Sequence, residues 1–246
     1  MRQRPGFPAR LEGLIKAAAP APKKRQLDQG LGLDSSAVRL RMVQKIATEG
    51  VTDAQVLKAM GTVERHRFVD TALATQAYED TSLPIGLGQT ISKPGVVSRM
   101  LELLRNGARG QLGRVLEIGT GCGYQAAVLS LLASEVYSIE RLRGLHDKAR
   151  ENLRPLRRPN LHLLFGDGMA GYAKGAPYAA IIAAAGGESV PQAWIDQLAE
   201  GGRLVAPVAA QGGRQQTLLV IDKTAQGLQQ TVLESVHFVP LKSGLA

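Results

Sequence analysis

The sequence predicts an α/β fold, a mostly parallel sheet with helices on both faces and a helical flank on its N-terminal side. Three observations carry that prediction. First, the apolar run Arg114-Val115-Leu116 feeds Glu117-Ile118-Gly119-Thr120-Gly121-Cys122-Gly123 and then a helical stretch, Tyr124 to Leu132. A strand that meets a glycine loop and a helix is a joint where nucleotide-like ligands bind. Glycine lacks a Cβ where backbone must come close, and the helix start offers free N–H groups. Second, strand-like segments at 114–118, 135–140, 161–165 and 178–184 alternate with helices over 124–132 and 141–153, which means parallel strands covered on both faces. Third, a helix from Pro191 to Leu198 closes at Gly201-Gly202 and feeds a strand at 203–208, and 216–221 and 230–240 read as a final, antiparallel pair.

The N-terminal part is organised differently. Residues 1–33 carry seven Lys or Arg against Glu12 and Asp28, so +5 of the net charge of +9 belongs to a proline-containing basic arm, read as flexible and solvated. Residues 34–246 are read as one domain, with helices and a loop over 34–105 and the ligand-binding sheet over 106–246. Asp34 to Glu49 has the spacing of an amphipathic helix stopped by Gly50. Thr52-x-x-Gln55 has the form of a capping box for a second helix that Gly61 ends. Tyr78 to Pro94 carries Pro and Gly too often for a long helix and reads as a structured loop with short extended pieces, before helical spacing resumes at Val96 to Leu104.

Composition narrows the function. No run of 18 apolar residues exists, so no membrane span is expected. The single Cys122 precludes an intrachain disulfide and fits a reducing cytoplasm, and His66, His146, His162 and His237 lack ligand spacing, so no metal is expected. A dinucleotide fingerprint needs its third glycine where Tyr124 stands. Gly119-x-Gly121-x-Gly123 behind Glu117 suits S-adenosylmethionine better. Glu140, 21 residues after Gly119 at the end of the next strand, could grip a ribose diol or cap the following helix. Asp167, in Gly166-Asp167-Gly168, could accept from an adenine amino group or close an Asx turn; local sequence leaves both open. Trp194 reads as a core anchor.

Glu117 to Tyr124, Glu140 and Gly166 to Gly168 resemble the seven-stranded, Rossmann-like S-adenosylmethionine-dependent methyltransferases. More specifically, Arg65-His66-x-Phe68-Val69, Ala77-Tyr78-Glu79-Asp80, Leu83-Pro84-Ile85-Gly86, Gly88-Gln89-Thr90-Ile91-Ser92-x-Pro94 and Phe238-Val239-Pro240-Leu241 resemble, in order, the signature segments of protein-L-isoaspartate O-methyltransferases, from about residue 38 to the C-terminus. The resemblance implies Ser92 at the reacting centre and Gln89, Thr90 and Ile91 shaping the pocket beside the methyl donor. Glu117, Gly119, Gly121, Gly123, Glu140, Asp167 and Gly168 would hold that donor. The chain departs from the pattern at Gly95 (usually aromatic), Cys122 (usually Ser or Thr) and Ala179 (usually Asp).

The implied reaction moves the sulfonium methyl of S-adenosylmethionine onto the free carboxylate of an isoaspartyl residue in damaged proteins and peptides, the first step of repair. A carboxylate is already ionised near neutral pH, so the site needs no general base; it needs alignment and hydrogen-bond donors. Ser92 supplies a hydroxyl, and the helix starting near Pro94 would add backbone N–H groups. On local pattern alone Ser92 reads as a helix cap. A base-directed nucleic-acid methyltransferase is disfavoured, because the place after the fourth strand reads Ala184-Ala185-Gly186-Gly187 instead of Asn/Asp-Pro-Pro-aromatic. Small-molecule O-methylation and a catalytically silent binding protein stay as alternatives.

Overall fold

The computed structural model describes residues 36–210 and 215–246; the basic arm lies outside the described residues. Two helices come first, α1 (Ser36–Thr48) and α2 (Ala54–Thr62), followed by the hairpin strands β1 (Leu83–Gly86) and β2 (Gln89–Ile91) and helix α3 (Pro94–Arg105). The alternating half then runs β3 (Leu112–Ile118), α4 (Tyr124–Leu132), β4 (Ala133–Glu140), α5 (Arg143–Leu153), β5 (Leu161–Phe165), β6 (Tyr178–Ala183), α6 (Gln192–Gln197), β7 (Leu198–Ala209), β8 (Gln216–Thr224) and β9 (Gly227–Val236).

Seven strands form the main sheet in the order β5-β4-β3-β6-β7-β8-β9. Strands β3 to β7 pair in parallel, and β8 runs antiparallel to both β7 and β9. The chain leaves β3 toward β4 and β5, then returns to β6 on the other side. Ligands bind outside the carboxyl ends of strands at such a reversal point. Both faces are buried, as the strand periodicity requires. Val115, Ala180, Ile182 and Val220 point into the core shared with α1 to α5. Leu116, Ile118, Ile181 and Ile221 point into a second core that holds Trp194 of α6.

Local departures from expectation have physical causes. Asp53, not Thr52, caps α2: its Oδ1 accepts from Gln55 N (2.8 Å) and Val56 N (3.2 Å). The Thr52 hydroxyl is drawn away to Glu102 Oε1 at 3.1 Å. Gly61 lies inside α2 and does not end it. The loop expected over 78–94 contains the β1–β2 hairpin, whose tip holds Gly86, Leu87 and Gly88 at positive φ. Strand β9 stops at Val236 instead of reaching Pro240, because Val239 and Leu241 turn back to bond Gly186.

Long basic side chains fasten the hairpin and the segment before it. Lys148 Nζ of α5 donates to Ile85 O at 3.0 Å. Arg65 is fully buried, donates through Nε to Ala77 O at 2.7 Å, and lies 4.9 Å from the Tyr124 ring centroid. No helix among the described residues is long and apolar enough to cross a membrane.

Candidate active site

A cavity of about 410 Å³ opens at the tips of the parallel strands, between the β1–β2 hairpin and the loops after β3, β4 and β6. Gln89, Thr90, Ile91, Ser92, Gly119, Gly121, Glu140 and Gly168 line it together. Glu117, Gly123 and Asp167 do not reach its wall and support it from behind.

The glycine loop is built as a cradle. Gly121 has φ +57, and a Cβ on it would come within 3.3 Å of Ile85 in the hairpin above, closing the space between loop and hairpin. Gly123 caps α4 at φ +92, and a Cβ there would strike Leu153 at 2.8 Å. Its role is therefore packing of α4 against α5. Glu140 is 5% exposed and reaches the cavity while accepting from Gly121 N and Leu142 N, both at 2.9 Å. One carboxylate thus fixes the glycine loop and the turn before α5. Both oxygens keep a lone pair for a ligand hydroxyl.

Glu117 lies beneath this floor, fully buried, with Oε2 bonded to the Ser138 hydroxyl at 2.5 Å and Ser138 bonded onward to Thr120 at 2.6 Å. Burial pushes its carboxyl up to about 8; the hydrogen bond from Ser138 opposes that rise. Cys122 lines the cavity as a thiol, its pKa pushed up to about 11 by burial. Asp167 makes the Asx turn, Oδ1 accepting from Met169 N at 2.9 Å, while Oδ2 accepts from Gly244 N at 2.7 Å. Beside it, the Trp194 indole donates to Gly168 O at 2.8 Å, so the core anchor also fixes a cavity wall.

Ser92 does not cap α3. Lys93 occupies the cap position, and the Ser92 hydroxyl has no hydrogen-bond partner among the described residues. It is also the one residue shared by the first cavity and a second, of about 1050 Å³, bordered by Asp80, Gly95, Arg99 and Phe238. The expected fan of free N–H groups at the start of α3 is reduced: Pro94 has none, and Gly95 N donates to Asp80 Oδ1 at 2.7 Å. A Cβ on Gly95 would sit 2.9 Å from that oxygen, so glycine is what lets Asp80 cap the helix. Ala179 lies at the amino end of β6, away from the cavity at the strand's other end, so the missing Asp removes nothing from the cavity wall.

Sequence reasoning missed Gln125, Leu142, Ala184 and Pro240 as wall residues. Gln125 had a signal, since it stands in the first turn of α4 directly after the glycine loop. It is 8% exposed, and its side chain acts with that of Ser138 to oppose the rise that burial imposes on the Glu117 carboxyl. The residues fit S-adenosylmethionine: a glycine cradle, a carboxylate for a diol and an apolar roof from Ile85, Leu87 and Leu142.

Known proteins share this chain's sequence pattern and fold. The family model described as protein-L-isoaspartate(D-aspartate) O-methyltransferase matches residues 38–246. A protein-L-isoaspartate O-methyltransferase of Methylibium petroleiphilum is 59% identical over an alignment of 264 residues that covers 99% of this chain and 97% of the relative. One from Leptothrix cholodnii is 62% identical over 217 residues, 87% of this chain and 77% of the relative. A solved structure bearing the same enzyme name superposes with a TM-score of 0.76 at 29% identity, covering 84% of this chain and 67% of the other. A Plasmodium falciparum structure titled as this enzyme, in complex with S-adenosyl-L-homocysteine, has a TM-score of 0.72 at 24% identity, covering 83% and 98%, and supports the fold. The chain belongs to the protein-L-isoaspartate O-methyltransferase family.

Proposed function

We propose that this protein methylates the free carboxylate of L-isoaspartyl residues in damaged proteins and peptides, using S-adenosylmethionine, and so begins their repair. The observation that carries the assignment is Ser92, an unpaired hydroxyl on the wall between a donor-sized cavity and a wider groove. The bound donor supplies an electrophilic methyl: the S–CH₃ bond breaks with its electron pair going to sulfur, and a carboxylate oxygen forms the new O–CH₃ bond.

The chain's own residues do the rest. Glu140 receives the ribose diol, and Gly119, Gly121 and Gly168 let backbone approach the donor. Gln89, Thr90 and Ile91 form the hairpin strand that separates donor from solvent. Ser92 donates its hydroxyl to the acceptor carboxylate, holding one oxygen so that the other faces the methyl group. No base is required, since the acceptor is ionised near neutral pH. Glu117 and Gly123 keep the glycine loop in place from below. The groove beyond Ser92 receives the acceptor chain, and Gly95 lets Asp80 sit against the start of α3 on its border.

Purified protein given isotopically labelled donor with an isoaspartyl peptide, its aspartyl twin and RNA tests the reading. Base-labile label on the isoaspartyl peptide alone is the expected result. Label on RNA, or equal label on both peptides, would overturn it.

A further inference from the structure

The positive charge of residues 34–246 is gathered in one place. Their net charge is +4, and Arg141 to Arg158 alone carries +5, seven Lys or Arg against Asp147 and Glu151. Three of the seven are engaged nearby: Arg141 donates to Gly244 O at 2.7 Å, Arg143 lies 3.2 Å from Asp147, and Lys148 donates to Ile85 O at 3.0 Å. The other four, Arg150, Arg154, Arg157 and Arg158, line a groove of about 1140 Å³ between α5, the turn after it and β5. It shares no residue with either cavity at Ser92. Among the described residues none of the four forms an ion pair, and Arg158 Nε and His146 Nδ1 are buried there without a hydrogen-bond partner. Of the two carboxylates on the wall, Asp147 is taken by Arg143, which leaves Glu151 against four cations.

The rest of the groove suits a polypeptide. Strand β5 is the outer strand of the sheet and pairs with β4 alone. Asn160 O accepts from Val136 N at 2.8 Å, so in the parallel ladder residues 160, 162 and 164 turn their backbone groups to β4, and Leu163 turns its N–H and C=O to the open edge. Leu161 and Leu163 are half-buried and line the groove. A chain laid beside β5 would send every second side chain to the α5 face of the sheet, where the arginines stand. No Phe, Tyr or Trp lines the groove, so it gives nucleic-acid bases no stacking platform. The cations follow α5 and the turn after it instead of converging on one point, which suits an extended polyanion better than a single phosphate.

We propose that this groove binds an extended acidic segment of another protein, which adds to the free edge of β5 and sets Asp or Glu side chains against Arg150, Arg154 and Arg157. Main-chain pairing at the sheet edge supplies affinity, and arginine–carboxylate pairing supplies selectivity. The groove is separate from the methyl-transfer site, so its occupant competes with neither donor nor acceptor. With five residues in β5 the added strand is short, and micromolar affinity is the scale to expect.

The test measures binding of three fluorescent probes to the full chain: a peptide of alternating Glu and Val that contains no aspartyl residue, its counterpart with Gln for Glu, and a short single-stranded DNA. Each is repeated on the combined variant Arg150→Gln, Arg154→Gln and Arg157→Gln, which keeps the basic arm of residues 1–33, so binding through the arm survives the change. The acidic peptide should bind about tenfold more tightly than the Gln peptide, and the combined variant should weaken it about tenfold while DNA affinity stays within about twofold. N-methylation of alternate peptide residues should abolish binding in one of its two registers only, since a single edge of an added strand faces β5. Equal binding of the two peptides, acidic-peptide binding unchanged in the combined variant, or DNA weakened as much as the peptide would overturn the proposal. So would equal effects of the two N-methylated registers, a result that needs no variant and decides alone if the combined one does not fold.

Discussion

The two sides of Ser92 are built on opposite plans. On the donor side the key carboxylates already hold protein groups: Glu140 accepts from two backbone N–H groups, and Glu117, Ser138 and Thr120 form a buried hydrogen-bonded chain. On the acceptor side the key hydroxyl is unspent, and the nearest helix N–H is occupied by Asp80. The difference teaches how a methyl transferred to an anion can be aligned without a base. One partner is gripped by a rigid, preorganised floor, and the other is met by a single donor left free for it.

That contrast is broken most severely at Glu140. Glu140→Ala leaves two half-buried N–H groups without their partner, each worth about 1–3 kcal/mol at most. Affinity for S-adenosylhomocysteine, read by calorimetry, should fall roughly 100-fold or more. A loss under about threefold would show that the floor does not depend on this carboxylate.

Glu117 comes next, and its effect is on stability. The carboxyl rises from 4.5 to about 8 on burial. Below about pH 4.5 it is neutral in folded and unfolded chains alike. As pH climbs toward about 8, only the unfolded chain gives up its proton, so the folded state loses stability, by up to about 1.4 kcal/mol per pH unit. Urea unfolding between pH 5 and pH 9 should show wild type losing roughly 2–4 kcal/mol relative to Glu117→Gln. Parallel curves would contradict a buried, neutral Glu117.

The smallest effect is expected at Gly95. Gly95→Ala pushes on Asp80 Oδ1 from 2.9 Å, so KM for an isoaspartyl peptide should rise by about two- to fivefold while donor affinity stays unchanged. A change in donor affinity instead would place Gly95 on the wrong side of the contrast.

How legible this molecule is from sequence follows the same division. The sheet was readable because both of its faces are buried, so Val115-Leu116, Ile181-Ile182 and Val220-Ile221 stand as continuous apolar runs between glycine-marked turns. The glycine loop, Glu140 and Ser92 were readable by spacing and resemblance, and the structure brings them to one cavity. What stayed hidden depends on competition between distant groups. Thr52 looks like a cap until Glu102, 50 residues away, takes its hydroxyl. Asp167 looks like a simple Asx turn, and only the fold shows its second oxygen accepting from Gly244, 77 residues away. Gly95 looks like a loosened mouth, and only the fold shows Asp80 resting against it. Pattern reports which groups are available, and three-dimensional contact decides which remain so.

The central claim is that Ser92 acts on the acceptor and not on the donor. Single-turnover methyl transfer to an isoaspartyl peptide by Ser92→Ala, with S-adenosylhomocysteine affinity measured on the same preparation, tests it most directly. The account predicts transfer slowed about 10- to 100-fold, the value of one hydrogen bond to a charged group, with affinity within about twofold of wild type. Transfer at the wild-type rate, or a loss of donor affinity that accounts for the whole effect, would contradict it.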